Sequence, residues 1–333
     1  MNNPKTEHTP VFSGPIAVHL AGFLEEKRAL GYKYTNESWR LVQIDELSKE
    51  VNNAPNTLSQ ELINTWWKRS PFEGDKTWYS RITIMKQLTS YFIARDLLCA
   101  SLPNHLEMNR IKTTFIPYIF SHDEIRRIFQ AADAIVPPTY RPHRGKVASL
   151  LFRMLYSCGL RLGEALNLTI RDIDLERNVI TVKEGKGKVD RYVPMSEELS
   201  RRCRIYAEEV FSEPKAMDPF FAAPDGGKYS HTAISGMWNE ILRKANIHKT
   251  DNGPRIHDLR HTFCVHCLKR WVDNGENVNS LLPVLSSYLG HVHLSSVNRY
   301  LRLTADVFPD ITKAVENYIG NIVPDGGSTY EEE

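Results

Sequence analysis

The chain has 333 residues, 41% of them hydrophobic and 25% charged, which is enough to build two domains with buried cores. It contains no apolar run of about 18 residues, which excludes a membrane span, and its first residues lack the layout of a secretory signal. The net charge of +2 does not by itself indicate a nucleic-acid partner, and an odd number of cysteines, five, argues against a disulfide framework and suits a reducing cytoplasm.

The first third of the chain predicts a small helical bundle. Polar residues 1–13 predict a flexible tail, and apolar residues at helical spacing predict four amphipathic helices within residues 14–108. These cover about 16–30, a segment that starts after Thr35 or Asn36, one that starts near Ser59, and about 78–97. Gly31 is expected to end the first helix, and Trp39 is among the apolar positions of the second.

The helical pattern breaks over residues 109–120, which predicts a linker in which Arg110 and Lys112 could meet a phosphate backbone. Ser121 and Glu124 then form a capping-box signature that opens a second domain over residues 121–321. Further helices are expected at about 145–157, 162–167, 196–211, 230–245, 258–272 and 278–288. The final residues, 322–333, are acidic and glycine-containing and predict disorder.

One β-hairpin is expected in the second domain, with strands at 179–182 and 191–194. Its loop contains Gly185, Lys186, Gly187 and Lys188, in which flexible glycines would let a lysine swing towards a substrate. The spacing is not that of a Walker loop. An ordinary exposed turn with solvated lysines remains an alternative.

Arg161 lies in an apolar stretch, two residues after Gly159 and three before Glu164. The simplest interpretation is a surface ion pair between Arg161 and Glu164. Because the flanking residues are strongly apolar, partial burial is expected, and a buried guanidinium needs an acceptor such as a phosphate.

His257 and Arg260 are three residues apart at the start of a predicted helix, so both could reach one oxyanion. A structural histidine beside a surface arginine is one alternative. Metal binding by His257, His261, Cys264 and Cys267 is another, but the spacing fits neither a zincin helix nor a zinc ribbon. The two cysteines are expected to line a helix core.

Leu289, Gly290 and His291 form a fourth short motif, and Tyr300 follows nine residues after the histidine. A single tyrosine is by default an amphipathic residue at the rim of a core, and a single histidine an exposed turn residue.

Taken together, and in their order along the chain, the four motifs resemble those of the tyrosine recombinase (phage integrase) family. The G-x-R-x-x-[ED] box matches Gly159, Arg161 and Glu164, and the GKGxK hairpin followed by VP matches residues 185–188 and 193–194. The HxLRHT box matches residues 257–262, the LGH box matches residues 289–291, and Tyr300 matches the nucleophile. The resemblance covers about residues 121–310 by motif, while residues 14–108 resemble the family's core-binding domain in pattern alone.

The resemblance implies a mainly α fold with a small β-sheet or hairpin. It comprises an N-terminal helical, SAM-like core-binding domain and a mixed α/β integrase catalytic domain, without an arm-binding domain. It implies a site-specific recombinase that cleaves and rejoins double-stranded DNA through a 3′-phosphotyrosyl intermediate, serving integration, excision or transposition of a mobile element. The implied catalytic residues are Arg161, Lys186, His257, Arg260, His291 and Tyr300, supported by Glu164. Arg110, Lys112 and Lys188 are expected to contact DNA, no metal or other cofactor is implied, and a homotetramer on DNA with accessory recombination proteins is expected.

Two features leave alternatives open. The hairpin reads GKGKVDR where many members have GKGNKER, so Lys183 and Lys188 compete with Lys186 as the catalytic lysine. A type IB topoisomerase shares this chemistry, and a non-catalytic DNA-binding protein could keep the fold, although none of the catalytic residues is lost here.

Overall fold

A computed structural model describes residues 10–103, 116–183, 190–250 and 253–290. Contacts between backbones divide the chain into two compact units, Met1–Thr114 and Phe115–Glu333. Within the described ranges, no helix combines the length and the apolar character needed to cross a bilayer.

The first unit is a helical bundle. Its elements are α1 (Ala17–Ala29), α2 (Thr35–Glu50), β1 (Thr57–Leu58), α3 (Gln60–Trp67), α4 (Asp75–Ile93) and β2 (Leu98–Cys99). The Ser59 hydroxyl accepts the Leu62 N–H and so caps α3. Gly31 follows α1 with φ of +87°, and its N–H donates to the carbonyl of Arg28, which confirms it as the helix stop.

The core of this unit lies between the helices and contains Leu20, Phe23, Leu41, Ile44 and Phe92, all fully buried. The parallel pair of β1 and β2 joins the two ends of the α3–α4 segment. The four predicted helices are confirmed, but one detail is wrong. Trp39 does not enter the core, since 64% of it is exposed, because α2 turns the Leu41–Ile44 face inwards.

The second unit begins with the predicted capping box at the start of α5. The Ser121 hydroxyl accepts the Glu124 backbone N–H, and the Glu124 carboxylate accepts the Ser121 backbone N–H. The elements that follow are α5 (His122–Asp133), α6 (Arg144–Ser157), α7 (Leu162–Asn167), β3 (Ile173–Asp174), β4 (Val179–Val182), β5 (Arg191–Pro194), α8 (Glu197–Val210), α9 (His231–Lys244), α10 (Asp258–Asp273) and α11 (Val278–Leu289). A 3₁₀ turn, Ile170–Asp172, leads into β3.

Helix α6 is the central element of this unit. Seven of its apolar side chains are buried, around most of its circumference, and α5, α8 and α10 all pack on it. The three-stranded antiparallel sheet has the order β3-β4-β5, and the register pairs Val182 with Arg191. The hairpin is therefore confirmed, and the short strand β3 is an addition to it. The mainly α fold with a small sheet is as predicted.

Candidate active site

Gly159 shapes the chain between α6 and α7. Its φ is +57°, a left-handed conformation that favours glycine, and a Cβ there would lie 2.6 Å from Cδ1 of Phe263 and 3.0 Å from Cδ2 of Leu289. Both the conformation and the close packing against α10 and α11 therefore require glycine. The turn directs the next residues, including Arg161, towards the ends of those two helices.

Arg161 immediately precedes α7 and is held by Glu164, one turn further on. The carboxylate accepts the Arg161 backbone N–H at 2.9 Å through Oε2 and the guanidinium Nη1 at 2.6 Å through Oε1. The Arg161 side chain is 22% exposed and Glu164 is 8% exposed. The expected partial burial and the expected partnership of these two residues are both present.

A second arginine, Arg191 of β5, binds the same carboxylate. Its Nη2 and Nη1 donate to Oε2 and Oε1 of Glu164 at 2.8 and 3.1 Å, and its Nε donates to the carbonyl of Tyr288 at 2.9 Å. Burial alone would raise the pKa of Glu164. The hydrogen bonds from Arg191 and from the Arg161 backbone, with both positive charges, outweigh burial and lower this pKa to about 2. Glu164 is therefore ionised throughout the physiological range.

Arg260, on the first turn of α10, is the third guanidinium at this place. Its Nη1 donates to the carbonyl of Gly159 at 2.5 Å and its Nη2 to the carbonyl of Leu289 at 2.7 Å, and Nη1 lies 3.9 Å from Glu164 Oε2. The side chain is only 1% exposed. Arg260 therefore joins the turn before α7 to the end of α11, while Arg161 presents the more open guanidinium.

Gly290 ends α11 in the left-handed conformation, with φ of +65°. A Cβ there would lie 2.9 Å from Nη1 of Arg191, and its carbonyl lies 3.5 Å from Nη2 of Arg161, a long hydrogen bond. The LGH box thus begins beside Arg161, Arg191 and Arg260, which together with Glu164 form what we call the arginine cluster. His291 and Tyr300, which follow it, lie outside the described residues.

His257 stands at the N-terminal end of α10, three residues before Arg260, with an open face to solvent. Loss of hydration lowers its pKa, the charges of Arg260 and Arg161 lower it further, and Glu164 acts in the opposite direction; the result is a pKa of about 4. Because the ring is partly open to water, we attribute the lowered pKa of His257 to the charges of Arg260 and Arg161 more than to the loss of hydration. The imidazole is neutral at neutral pH.

The base of the hairpin loop is fixed by Lys183, which forms an ion pair with the buried carboxylate of Asp172. Burial would raise the pKa of Asp172, but hydrogen bonds from Lys183 and Thr169 lower it. Lys183 is therefore already engaged with a carboxylate other than Glu164. Lys186 and Lys188 lie outside the described residues, as do Arg110 and Lys112.

The metal interpretation gains no support in the described ranges, where no three His, Cys, Asp or Glu side chains are placed to share an ion. Cys264 is fully buried in the apolar cluster between α10 and α11, beside Leu268, Leu282 and Leu285, as expected for a core cysteine. Burial raises the pKa of the Cys267 thiol to about 11.

Sequence reasoning missed Arg191 as a member of this cluster. A signal was present, because strand alternation puts Arg191 on the same face as the buried Val193. A charged residue on the core face of a strand needs a buried acceptor. The acceptors, on α7 and at the end of α11, are 27 and 97 residues away, so no local pattern indicates them.

Known proteins share both sequence and fold with this chain. Residues 119–306 match the phage integrase family. A protein of Sinorhizobium fredii assigned as an integrase/recombinase, y4rE, is 34% identical over 293 residues, or 86% of this chain and 91% of that protein. Tyrosine recombinase XerA of Thermococcus kodakarensis is 29% identical over 191 residues, or 57% of this chain and 60% of XerA.

Two solved structures have the same fold. The Tn1549 transposon integrase in complex with transposon right end DNA matches with a TM-score of 0.60 and 18% identity over 91% of this chain and 99% of that one. The XerH site-specific recombinase bound to difH substrate matches with a TM-score of 0.57 and 21% identity over 84% and 79%. The fold is thus that of the tyrosine recombinases. The chain belongs to the phage integrase family, which confirms the family predicted from its motifs.

Proposed function

We propose that this chain cleaves and rejoins double-stranded DNA at specific sites through a 3′-phosphotyrosyl intermediate on Tyr300. One observation carries the proposal. Arg161 and Arg260, which come from motifs a hundred residues apart, meet around the carboxylate of Glu164, and the carbonyl of Gly290, the residue before His291 in the sequence, lies beside Arg161.

The charge balance of the cluster favours a phosphate. Among the described residues, three guanidiniums surround the carboxylate of Glu164, which stays ionised, so these four side chains together carry a net charge of +2. Fixed cations of this kind stabilise the negative charge that develops on a pentacoordinate phosphorus, at no cost of reorganisation. Arg161 would clamp a non-bridging oxygen through its open side, and Arg260 would act together with it.

The Tyr300 oxygen forms a bond to phosphorus while the bond from phosphorus to the 5′ oxygen breaks, and His291 donates a hydrogen bond to a non-bridging oxygen. His257, neutral at working pH, assists removal of the phenol proton, and Lys186 supplies a proton to the departing 5′ oxygen. Bound phosphate would raise the pKa of His257, since its negative charge offsets that of the two arginines. The covalent link conserves the phosphodiester energy, so the reverse attack rejoins a strand.

Double-stranded DNA is the proposed partner of both units. In the first unit, a groove of about 790 Å³ is lined by residues that repeat along one face of α4, and an adjoining groove is lined by one face of α2. Four basic side chains line these two grooves against one acidic one: Lys27, Lys33, Arg40 and Lys76, with Glu37. Basic side chains among amides and exposed aromatic residues suit phosphates and base edges.

The polar and basic side chains on α2 and α4 allow contacts that read the DNA sequence to be tested separately from contacts with phosphates. Asn36, Arg40 and Gln43 share one face of α2, and the Arg40 guanidinium donates to the Gln43 amide at 3.0 Å. We expect Gln43→Ala to relax sequence preference, and Lys76→Ala to weaken binding to all sequences and to reduce the salt slope by about one. Lys49→Ala is the matched control, because Lys49 on α2 is engaged with Glu46 and Ser13 instead.

Residues 14–108 would thus form the DNA-binding domain. Residues 109–120 would form the linker, in which Arg110 and Lys112 would contact the phosphate backbone of the DNA. Residues 121–321 would form the catalytic domain, with Lys188 beside the DNA. Exchange between two duplexes needs four cuts, which implies a homotetramer on DNA and leaves room for accessory recombination proteins. Movement of a mobile element in the cytoplasm is the proposed setting, in keeping with relatives assigned as integrase/recombinase.

The test uses a duplex nicked so that the cleaved intermediate cannot rejoin. The chain should become covalently attached to this DNA in the presence of EDTA, and the Tyr300→Phe variant should not. Arg161→Ala and Arg260→Ala should abolish attachment but keep most DNA binding. If both arginine variants simply failed to bind DNA, their role in stabilising the phosphorane would be contradicted.

A further inference from the structure

Arg191 adds positive charge to the cluster but has no step of its own in the chemistry proposed above, and its side chain is more buried than that of Arg161. Its side chain is 8% exposed, on the first residue of β5. A guanidinium is retained at such a position only when its N–H groups are well satisfied. Arg191 uses one fork of two hydrogen bonds to Glu164 and one hydrogen bond to the Tyr288 carbonyl.

These contacts connect three separate parts of the site. Glu164 belongs to α7 and holds Arg161, Tyr288 lies at the end of α11, and Arg191 belongs to the hairpin. The absence of a side chain at Gly290 makes room for the guanidinium, since a Cβ there would lie 2.9 Å from its Nη1. A glycine is therefore needed in the LGH box to leave room for the Arg191 side chain.

The same residue stands at the base of the hairpin loop. Val182 and Arg191 form the last rung of the β4–β5 ladder, and residues 183–190 connect the two strands. The incoming side of this loop is held by the ion pair of Lys183 with Asp172, and the outgoing side by the ion pairs of Arg191 with Glu164. Both ends of the segment that contains Lys186 are therefore tethered.

We infer that Arg191 is a positioning residue that sets the hairpin lysine, Lys186, against the Arg161–Glu164 pair. This inference rests on the proposed function. A lysine at position 191 could reach one acceptor, but it lacks the planar fork that engages Glu164 and the Tyr288 carbonyl together. Without Arg191, the general acid would be misplaced relative to the phosphate, and a misplacement of about 1 Å costs on the order of 100-fold in rate.

The experiment compares two nicked duplexes that differ in one atom. One has the ordinary phosphodiester, and the other has sulfur in place of the 5′ bridging oxygen at the cleaved bond. A thiol has a pKa of about 8.5, so the sulfur leaves without a proton from a general acid. The rate of covalent attachment in a single turnover, at saturating protein, is measured on both.

Arg191→Met should react on the order of 100-fold more slowly with the ordinary duplex, and most of that defect should disappear on the sulfur duplex. Arg191→Lys should show a smaller defect with the same dependence on sulfur. Lys186→Met is the reference, since loss of the acid itself should be rescued by sulfur. Arg153→Met is the matched control, because Arg153 is 11% exposed, pairs with Asp133 away from the site, and should keep the wild-type rate on both duplexes.

Equal defects of both Arg191 variants on the two duplexes would overturn the inference, as would wild-type rates on the ordinary duplex. A variant that is merely misfolded would lose both substrates alike and would lower the melting temperature, so rescue by sulfur excludes that explanation. Failure of the proposed function would look different. In that case the wild-type chain would attach to neither duplex, or Lys186→Met would gain nothing from sulfur.

Discussion

Replacing Glu164 by glutamine tests the charge cluster most sensitively, because the shape is kept and only the charge is lost. The pKa of Glu164 is lowered from the ordinary 4.5 to about 2. At about 1.36 kcal/mol per pKa unit, its ionised form stabilises the fold by about 3 kcal/mol. Loss of the carboxylate also leaves three guanidiniums facing one another, so the variant should lose at least this much.

The expected change is large enough to measure by thermal denaturation. For a unit of this size, each kcal/mol shifts the melting temperature by about 2–4 °C, so Glu164→Gln should lower the melting temperature by about 6–12 °C at pH 7. Glu198→Gln is the matched control. Its carboxylate also contacts two arginines, Arg201 and Arg202, but it is 56% exposed. We therefore expect no measurable change in the melting temperature of Glu198→Gln.

The dependence on pH has a definite sign. A carboxylate with a lowered folded-state pKa stabilises the fold fully above the unfolded pKa of about 4.5, and this contribution is lost as the pH falls towards 2. The wild-type chain should therefore lose stability over this window, and Glu164→Gln should lose less. A melting temperature for Glu164→Gln no lower than that of Glu198→Gln would refute the account of the cluster.

Three further outcomes are expected. Gly159→Ala should destabilise by about 1–2 kcal/mol or more in chemical denaturation, because of its left-handed φ and the close Phe263 ring, whereas Gly163→Ala, with nothing within 4 Å, should be neutral or stabilising. NMR of labelled histidines should show that His257 does not titrate between pH 5.5 and 8 in the free chain, and titration near pH 6.5 would contradict the effect of the two arginines. In covalent-attachment assays, Lys183→Met should lose only part of its rate, because Lys183 holds one end of the hairpin loop through Asp172, whereas Lys186→Met should lose nearly all of it; the reverse order would exchange their roles.

The sequence predicts best what depends on neighbours along the chain. The start of α5 follows from Ser121 and Glu124, and the link between Arg161 and Glu164 follows from their spacing of three. The hairpin follows from two β-rich runs around glycines. Each of these needs one local interaction, which a pattern can reveal.

What the sequence does not predict depends on tertiary packing. Arg191 finds its acceptors on α7 and α11, and that partnership arises only when α10 and α11 close over Gly159. Trp39 fits a helical pattern but lies on the groove side of α2, because the rotation of a helix is set by its neighbours. The two-residue strands β1 and β2 are too short to produce any alternation.

The most direct test of the central claim is to locate the covalent bond. After reaction with a nicked duplex, nuclease trimming and proteolysis, mass spectrometry should find a nucleotide adduct on the peptide that contains Tyr300, joined through the phenolic oxygen. The same peptide from Tyr300→Phe should carry none. An adduct on another side chain, or none under any conditions of DNA binding, would contradict the proposed mechanism.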